Sequence, residues 1–338
     1  MRKRRILGVR SLAVVALLQF VIASAACAQQ AAPSPQSPAI RVSVDRVDVG
    51  VIVTDAQGQF VEGLQRGDFQ VFDNGTEQPV SDFAAIATPG QILLLIEAGP
   101  AVYLLESNHL LAAHVLLAGL APDDRVAVAR YNESPEGILD FTSDKGNVAA
   151  ALEQLRFNSG FGALNLSSSV AKVLDWLANV KGKKTILLLS TGVDTSQLSD
   201  FQSALSRLKT SDVRILAVSL TGGLRNPQPG KKKKSALADK ALLTAQQFAE
   251  ADETLKQLAA ATGGRAYFPN SLSDFTAVYT QIAQLVRHEY SIAFTPATHD
   301  AQPHLIEVRV TGASTPAAGT ADGTYKVDHR AAYVAPAP

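Results

Sequence analysis

Residues 92–100 read ILLLIEAGP, with five apolar residues in a row, then Glu97, then a break of small residues. A continuous apolar run of this length is typical of a strand that is covered on both faces, as in a parallel sheet between helices. The stretch TILLLS at 185–190 has the same character. Because ligands of open parallel sheets bind outside the carboxyl ends of the strands, Glu97 is the first candidate for a site residue.

From residue 90 onward, short apolar runs alternate with segments of helical periodicity. This alternation predicts an α/β fold with a mostly parallel central sheet and helices on both faces. The pattern predicts strands at 92–96, 125–131, 137–141, 185–190, 213–220 and 265–268, and helices at 106–119, 146–156, 164–179, 198–209, 239–261 and 272–287.

The two ends of the chain have a different rhythm, in which single apolar residues alternate with polar ones. Over 40–55 the valines alternate, with a phase shift that predicts a break or bulge near Asp45. Asp73-Asn74-Gly75 favours a tight hairpin, since these residues tolerate positive φ. The stretches 290–294, 305–310 and 325–334 also alternate. These patterns predict a small N-terminal antiparallel β module and further C-terminal strands.

The composition is that of a globular protein, with 338 residues, 46% hydrophobic and 18% charged. The formal net charge is zero, but residues 1–28 hold five basic residues and no acidic one. The remainder carries 26 basic and 31 acidic residues and is therefore mildly acidic. Such a charge gives no electrostatic attraction to nucleic acid or to anionic lipid.

The first 28 residues have the three parts of a secretory signal peptide. A basic segment precedes an apolar stretch over 12–23, and Ala26-Cys27-Ala28 follows, so cleavage is expected after Ala28. We therefore expect an exported protein, periplasmic or secreted, with no stable transmembrane span after cleavage. Lipid attachment at Cys27, the only cysteine, is less favoured because Ser24 stands where a lipoprotein signal has leucine.

Two further segments lack the composition of a packed structure. Residues 29–39, QQAAPSPQSPA, form a tether with nothing to bury. The stretch 221–240 holds Pro, Gly and four consecutive lysines at 231–234. It could dock an acidic ligand or form a solvated loop tip, and the acidic balance of the rest of the chain favours the loop.

Five blocks of this sequence together resemble a known family. VTDAQGQFVEGLQRGDFQVFDNGTEQPVSDF begins at Val53, and DFTSD (140–144), KKTILLLSTGVD (183–194), AATGGRAYF (260–268) and HEYSIAFTP (288–296) follow in order. In this order they resemble the von Willebrand factor type A-related family of exported bacterial proteins, of the acidobacterial type. The resemblance runs from about Val44 to the C-terminus and implies a Rossmann-like von Willebrand factor A domain.

With this resemblance, the chain divides into five predicted parts. These are a signal peptide over 1–28, a disordered tether over 29–39, a small β module over 40–86, a von Willebrand factor A-like domain over 90–296 with a flexible lysine-rich insertion at 221–240, and a C-terminal β extension and tail over 297–338.

Members of the family often carry a metal-ion-dependent adhesion site at the top of the sheet. Its pattern is Asp-x-Ser-x-Ser after the first strand, a Thr before a later helix, and Asp in a Ser-Asp-Gly turn. This sequence departs from the pattern at every ligand, and only one carboxylate, of altered length, survives. Since Mg²⁺ loses its water shell reluctantly, we expect no resident metal here, or at most weak Mg²⁺ binding. The matching positions are Glu97, Gly99, Ala101, Gly162 and Thr191, with Asn165, Ser190 and Asp194 nearby.

Motifs of other chemistries are absent from the sequence. There is no G-x-S-x-G elbow, no P-loop and no H-E-x-x-H, and GFG at 160–162 lacks the third glycine of a dinucleotide site. We therefore expect a non-enzymatic module that binds an unknown extracytoplasmic protein partner without a cofactor. Alternatives are weakly metal-dependent adhesion through Glu97, an exported hydrolase built on the strand-end carboxylates Glu97, Glu133 and Asp194, and a structural envelope component that oligomerises.

Overall fold

A computed structural model describes residues 46–99, 114–155, 162–225, 244–311 and 325–336. The predicted signal segment, the tether, the bulge near Asp45 and the four lysines lie outside these residues. The strands are β1 (Val47–Thr54), β2 (Phe69–Asp73), β3 (Thr76–Gln78), β4 (Asp82–Ala87), β5 (Gln91–Glu97), β6 (Arg125–Tyr131), β7 (Pro135–Thr142), β8 (Lys184–Ser190), β9 (Val213–Ser219), β10 (Arg265–Tyr267), β11 (His288–Phe294), β12 (Pro303–Val310), β13 (Lys326–Asp328) and β14 (Ala332–Val334).

Helices surround the strands of the middle of the chain. Residues 114–119, the described part of the helix predicted over 106–119, are helical and are named α1. The others are α2 (Lys145–Glu153), α3 (Leu166–Leu177), α4 (Leu198–Thr210), α5 (Gly222–Arg225), α6 (Ala245–Ala261) and α7 (Leu272–Leu285). Within the described ranges, no helix combines the length and the apolarity that a membrane span requires.

Most element boundaries agree with the sequence pattern to within two residues, but α6 starts later than predicted. The periodicity predicted a helix from 239, whereas α6 begins at Ala245. Thr244 caps it, because the Thr244 side chain accepts from the Gln247 amide at 3.2 Å and the Gln247 side chain accepts from the Thr244 amide at 2.9 Å. This capping box fixes the helix start, and residues 239–243 lie outside the described part.

The central sheet has six strands in the order β7-β6-β5-β8-β9-β10. All its neighbours pair in parallel except β7, which runs antiparallel to β6 at the edge. Counted along the chain within this sheet, the order is 3-2-1-4-5-6, that of a doubly wound Rossmann-like sheet with its third strand reversed. The predicted fold class, a mostly parallel sheet with helices, is confirmed.

Two apolar cores cover the two faces of this sheet. In β5, Leu94 and Ile96 pack into one core, and Leu93 and Leu95 pack into the other. All four side chains are buried. The continuous apolar run of this strand thus reflects a position between two helical layers, as expected for a central parallel strand.

The remaining strands form two four-stranded sheets that share one core. Their orders are β13-β1-β11-β4 and β14-β12-β2-β3. In the first sheet Val47–Val51 of β1 pair antiparallel with 290–294 of β11. In the second, β2 pairs with β12. The N-terminal strands therefore complete their sheets with strands from the C-terminal part of the chain, and the domain boundaries drawn above stay a prediction.

The hairpin predicted at Asp73-Asn74-Gly75 joins β2 to β3. Asn74 and Gly75 have φ values of 47° and 80°. Positive φ at both central residues is the geometry of the two-residue turn that matches the twist of paired strands. The sequence prediction of this turn is confirmed.

A buried polar cluster joins the central sheet to the β1–β11 pair. Glu289 of β11 accepts from the Arg214 guanidinium at 3.1 Å and lies 3.3 Å from Lys183 Nζ. Arg214 also donates to the carbonyl of Gly50 in β1 at 3.1 Å. Two cations thus share one carboxylate. Burial, together with the nearby Arg214 and against the attraction of Glu289, lowers the pKa of Lys183 to about 8.

Candidate functional site

The candidate site lies where β5, β6 and β8 end. The chain passes from β5 to β6 on one side and later enters β8 on the other, so the order of the sheet reverses between β5 and β8. Ligands of open α/β sheets bind at such a reversal. The three strands end on Glu97, Tyr131 and Ser190, and all three side chains are fully buried.

One carboxylate oxygen of Glu97 accepts hydrogen bonds from both neighbouring strands. Glu97 Oε2 accepts from the Thr191 amide at 2.7 Å, the Thr191 hydroxyl at 2.8 Å and the Ser190 hydroxyl at 3.0 Å. The Tyr131 hydroxyl lies 3.3 Å from the same oxygen and 2.7 Å from the Ser190 hydroxyl. Burial raises the pKa of Glu97, although these hydrogen bonds oppose the shift. The carboxyl group thus ties three strand ends together.

The turn after β8 aims Thr191 at Glu97. Gly192 has a φ of 82°, and its amide donates to the Ser190 hydroxyl at 2.8 Å. A Cβ atom at Gly192 would lie 2.2 Å from the carbonyl oxygen of Ala251. Only glycine fits this backbone without strain, and its conformation places the Thr191 amide against the carboxylate.

The second oxygen of Glu97 lies close to Gly99. Glu97 Oε1 is buried and has no hydrogen-bond partner among the described residues. A Cβ atom added to Gly99 would lie 3.1 Å from this oxygen and 3.1 Å from Leu164 Cδ2. The carboxylate and the Leu164 side chain therefore flank Gly99 together.

Asp194 holds the start of α3. One of its oxygens accepts from the Ser167 amide at 3.1 Å and from the Ser167 hydroxyl, and the other accepts from the Ser196 amide at 2.9 Å. A carboxylate at this position satisfies an amide that the helix leaves unpaired and interacts favourably with the helix dipole. Asp194 thus has partners on both oxygens.

Side chains and backbone groups connect the three loops above the sheet. Asn165 accepts from the Thr195 hydroxyl at 3.0 Å and donates to the Glu133 carbonyl at 3.0 Å. Thr195 accepts from the Leu164 amide at 2.9 Å and donates its own amide to the Leu164 carbonyl at 2.7 Å. The loops after β6 and β8 and before α3 are thereby joined into one surface.

The outermost groups of this surface are of mixed character. Leu198 is the first residue of α4, which follows the loop after β8, and it is 73% exposed. The Glu133 side chain is exposed. It lies close to Gly162, since a Cβ atom added to this glycine would be 3.9 Å from Glu133 Oε1. Of the predicted positions, Ala101 lies outside the described residues.

The described residues of this site do not supply the set of oxygen ligands that a Mg²⁺ ion requires. Magnesium requires near-octahedral oxygen coordination at short distances. One oxygen of Glu97 is engaged with four donors, and Asp194 is engaged at the start of α3. Within the described ranges, no group of three or more His, Cys, Asp or Glu side chains could hold a metal.

Sequence reasoning missed Tyr131 and Thr195. Tyr131 is the last residue of the strand predicted at 125–131, so the rule that selected Glu97 could also have selected it. Thr195 carries no comparable signal, because its role depends on contacts with Asn165 and Leu164 across 30 or 31 residues.

Comparison with known proteins gives distant structural likenesses only. No family model matches this chain, and no curated protein matches it. Among solved structures, BatB of Bacteroides thetaiotaomicron is similar with 13% identity and a TM-score of 0.39, over 59% of this chain and 98% of that protein. The von Willebrand factor type A protein of Catenulispora acidiphila has 11% identity and a TM-score of 0.44, over 80% and 74%.

A third solved structure is the von Willebrand domain of the type V pilus tip protein Mfa5 of Porphyromonas gingivalis. It has 11% identity and a TM-score of 0.43, over 60% of this chain and 96% of that domain. Likenesses this distant carry no conclusion on function. The Rossmann-like assignment rests on the strand order of the central sheet.

Proposed function

We propose that this protein is an exported, non-enzymatic module that binds another protein at the carboxyl end of its six-stranded sheet, without a metal ion. The observation that carries the proposal is the surface formed by the loops that Asn165 and Thr195 connect, with exposed Leu198 beside it. Export is proposed from the composition of residues 1–28.

The hydrogen bonds between the loops support binding at this surface. Loops that are already connected lose less conformational freedom when a partner docks, which leaves more of the contact energy for affinity. An exposed leucine offers apolar area for a protein partner to cover, and full burial of such a side chain contributes about 1.5–3 kcal/mol. Exposed Glu133 adds a negative charge and favours a partner with a basic group nearby.

The burial of the polar network supports a function without catalysis. A nucleophile or a general acid must reach the substrate. Ser190, Tyr131 and Glu97 are fully buried and bond to one another. Of the three carboxylates on which an exported hydrolase would be built, Glu97 is buried and Asp194 is engaged at the start of α3, while Glu133 is exposed.

Two exposed leucines provide a matched test of the binding surface. Leu198 is 73% exposed at the carboxyl end of the sheet, and Leu305 is 66% exposed on β12. Cross-linking and pull-down from the native envelope should enrich a partner with the unmodified protein and with Leu305→Asp. With Leu198→Asp, we expect affinity for that partner to fall by about tenfold or more. Equal loss with both variants, or no partner enriched over an unrelated exported protein, refutes the proposal.

The absence of a metal requirement has a separate test. Because Glu97 is engaged with Thr191 and Ser190, millimolar Mg²⁺ or Mn²⁺ should leave the melting temperature unchanged. EDTA should leave partner binding unchanged. A rise in melting temperature with Mg²⁺ that Glu97→Ala abolishes would establish metal-dependent adhesion instead.

A further inference from the structure

A second cleft lies away from the candidate site. It has a volume of about 450 Å³, within the range of small-ligand sites. Thr210, the last residue of α4, contributes to its wall. Because α4 runs from the end of β8 to the start of β9, this wall belongs to the amino ends of the sheet strands, opposite to Glu97. The lining residues are Arg46, Val47, Asp48, Thr210, Arg330, Tyr333, Val334 and Pro336.

Arg330 is the exceptional residue of this cleft. Its guanidinium donates to the carbonyl oxygen of Asp48 at 2.8 Å, while its Nε is buried and has no partner among the described residues. No carboxylate oxygen of the described ranges lies within 4.0 Å of this guanidinium. Burial lowers the pKa of Arg330, with a partial opposing effect of Asp212 and Asp48. A partly buried cation without a counter-ion is costly unless an anion pairs with it.

The other charges of the cleft already balance one another. Asp48 accepts from Arg46 at 2.9 Å and 2.6 Å, and Arg46 also donates to Asp82 at 2.8 Å. Asp212 has a larger effect on the pKa of Arg330 than any other charged residue, and it lies 2.7 Å from Lys184 Nζ. Among the described residues, one positive charge, that of Arg330, is left without an acidic partner in direct contact.

The rest of the lining is largely polar, and Val334 is its exposed apolar side chain. Val47, Val334, Pro336 and the ring of Tyr333 contribute to the walls, and Val334 is 51% exposed. The Tyr333 hydroxyl is turned to Asp73, to which it donates at 2.9 Å. The cleft therefore presents one cation on a largely polar surface, with Val334 exposed on its wall.

We propose that this cleft binds a small monocarboxylate, whose carboxylate group pairs with Arg330 and whose short body lies against exposed Val334. A guanidinium and a carboxylate match in geometry and form charge-assisted hydrogen bonds. A doubly charged phosphate is disfavoured, because the cleft offers one uncompensated positive charge and carries the carboxylate of Asp48 on its wall. The proposal is independent of the function proposed above.

The carboxylate can belong to a free acid or to the end of a peptide chain, and two probes distinguish these sources. Isovalerate represents a free branched acid, and N-acetylvaline represents a C-terminal residue. Isovaleramide has the same body without the charge, and inorganic phosphate has the charge without the body. Binding of each to the full chain is measured by calorimetry and by saturation-transfer NMR in a buffer of low chloride.

Isovalerate or N-acetylvaline should bind saturably. The one that binds more tightly identifies the source of the carboxylate, a free acid or a peptide C-terminus. Isovaleramide and phosphate should bind at least about tenfold more weakly. Arg330→Gln should weaken binding of the carboxylate by about tenfold or more. Arg309→Gln, which removes an exposed arginine paired with Glu307, should not change it.

Three outcomes overturn the proposal. These are no saturable binding of either carboxylate at millimolar concentration, equal binding of isovaleramide, and unchanged binding in Arg330→Gln. If Arg330→Gln does not fold, the comparison of isovalerate with isovaleramide on the unmodified protein still decides, since only the charge differs between these probes.

Discussion

Replacing Lys183 by methionine should stabilise this protein near neutral pH. The Lys183 ammonium lies in the cluster that joins the central sheet to β11, and 9% of its side chain is exposed. It shares Glu289 with Arg214, and its Nζ has no well-aligned hydrogen-bond acceptor among the described residues. Methionine has a similar length and no charge, so it can fill the space without the desolvation penalty.

The magnitude follows from the pKa of the lysine. Burial first, and Arg214 further, lower the pKa of Lys183 from 10.5 to about 8. One pKa unit corresponds to about 1.4 kcal/mol, so holding Lys183 charged in the folded state costs about 3 kcal/mol. Between these two values the unfolded chain binds more protons than the folded one, so the stability of the unmodified protein rises with pH in this window.

The assay is urea unfolding of both proteins across this pH range. At about pH 7 the free energy of unfolding of Lys183→Met should exceed that of the unmodified protein by roughly 3 kcal/mol, and the difference should vanish by about pH 11. Lys181→Met, two residues away at an exposed position, should change stability little at any pH.

Two results would refute this reasoning. Lower stability of Lys183→Met at neutral pH would mean that the ion pair with Glu289 outweighs the burial of the ammonium group. A gain in stability that does not change between neutral and alkaline pH would mean that the effect comes from packing, and not from the charge of Lys183.

Three further substitutions test individual contacts by thermal unfolding. Because burial raises the pKa of Glu97, its contribution to stability falls as pH rises from the unfolded value of 4.5 through the folded one. Glu97→Gln should remove this pH dependence and be at least as stable as the unmodified protein at neutral pH. A large loss of stability at neutral pH would contradict this expectation. Gly192→Ala should lower the free energy of unfolding by about 1–3 kcal/mol or more, because the new Cβ atom meets Ala251 at a backbone position with positive φ. An unchanged melting temperature would contradict this expectation. Tyr279→Phe should stabilise the protein by about 1 kcal/mol, because the Tyr279 hydroxyl is buried without a partner among the described residues. A loss of stability would mean that this hydroxyl has a hydrogen-bond partner.

The local sequence pattern was sufficient to predict most of the helices and strands. The predicted strand 125–131 coincides with β6, and the predicted helix 198–209 differs from α4 by one residue. The hairpin at Asn74-Gly75 was also predictable, because turn residues of this kind determine a backbone conformation by themselves. The start of α6 was not, since apolar periodicity extends past the capping box at Thr244.

Pairing between distant strands was not predictable. The strand at 290–294 was predicted, but its neighbours were not: β11 lies between β1 and β4 in an antiparallel sheet. The alternation of β11 is compatible with any partner that buries the same face. Which strand becomes its neighbour is decided by the packing of the whole chain.

At the candidate site, too, one feature was predictable from the sequence and another was not. The sequence by itself determined that Glu97 ends a buried strand, because a continuous apolar run followed by small residues has few other interpretations. Only the tertiary structure decided what the carboxylate does there. Its donors, Tyr131, Ser190 and Thr191, lie at or just after the ends of two other strands, and a hydrogen bond depends on distances between atoms that local sequence does not define.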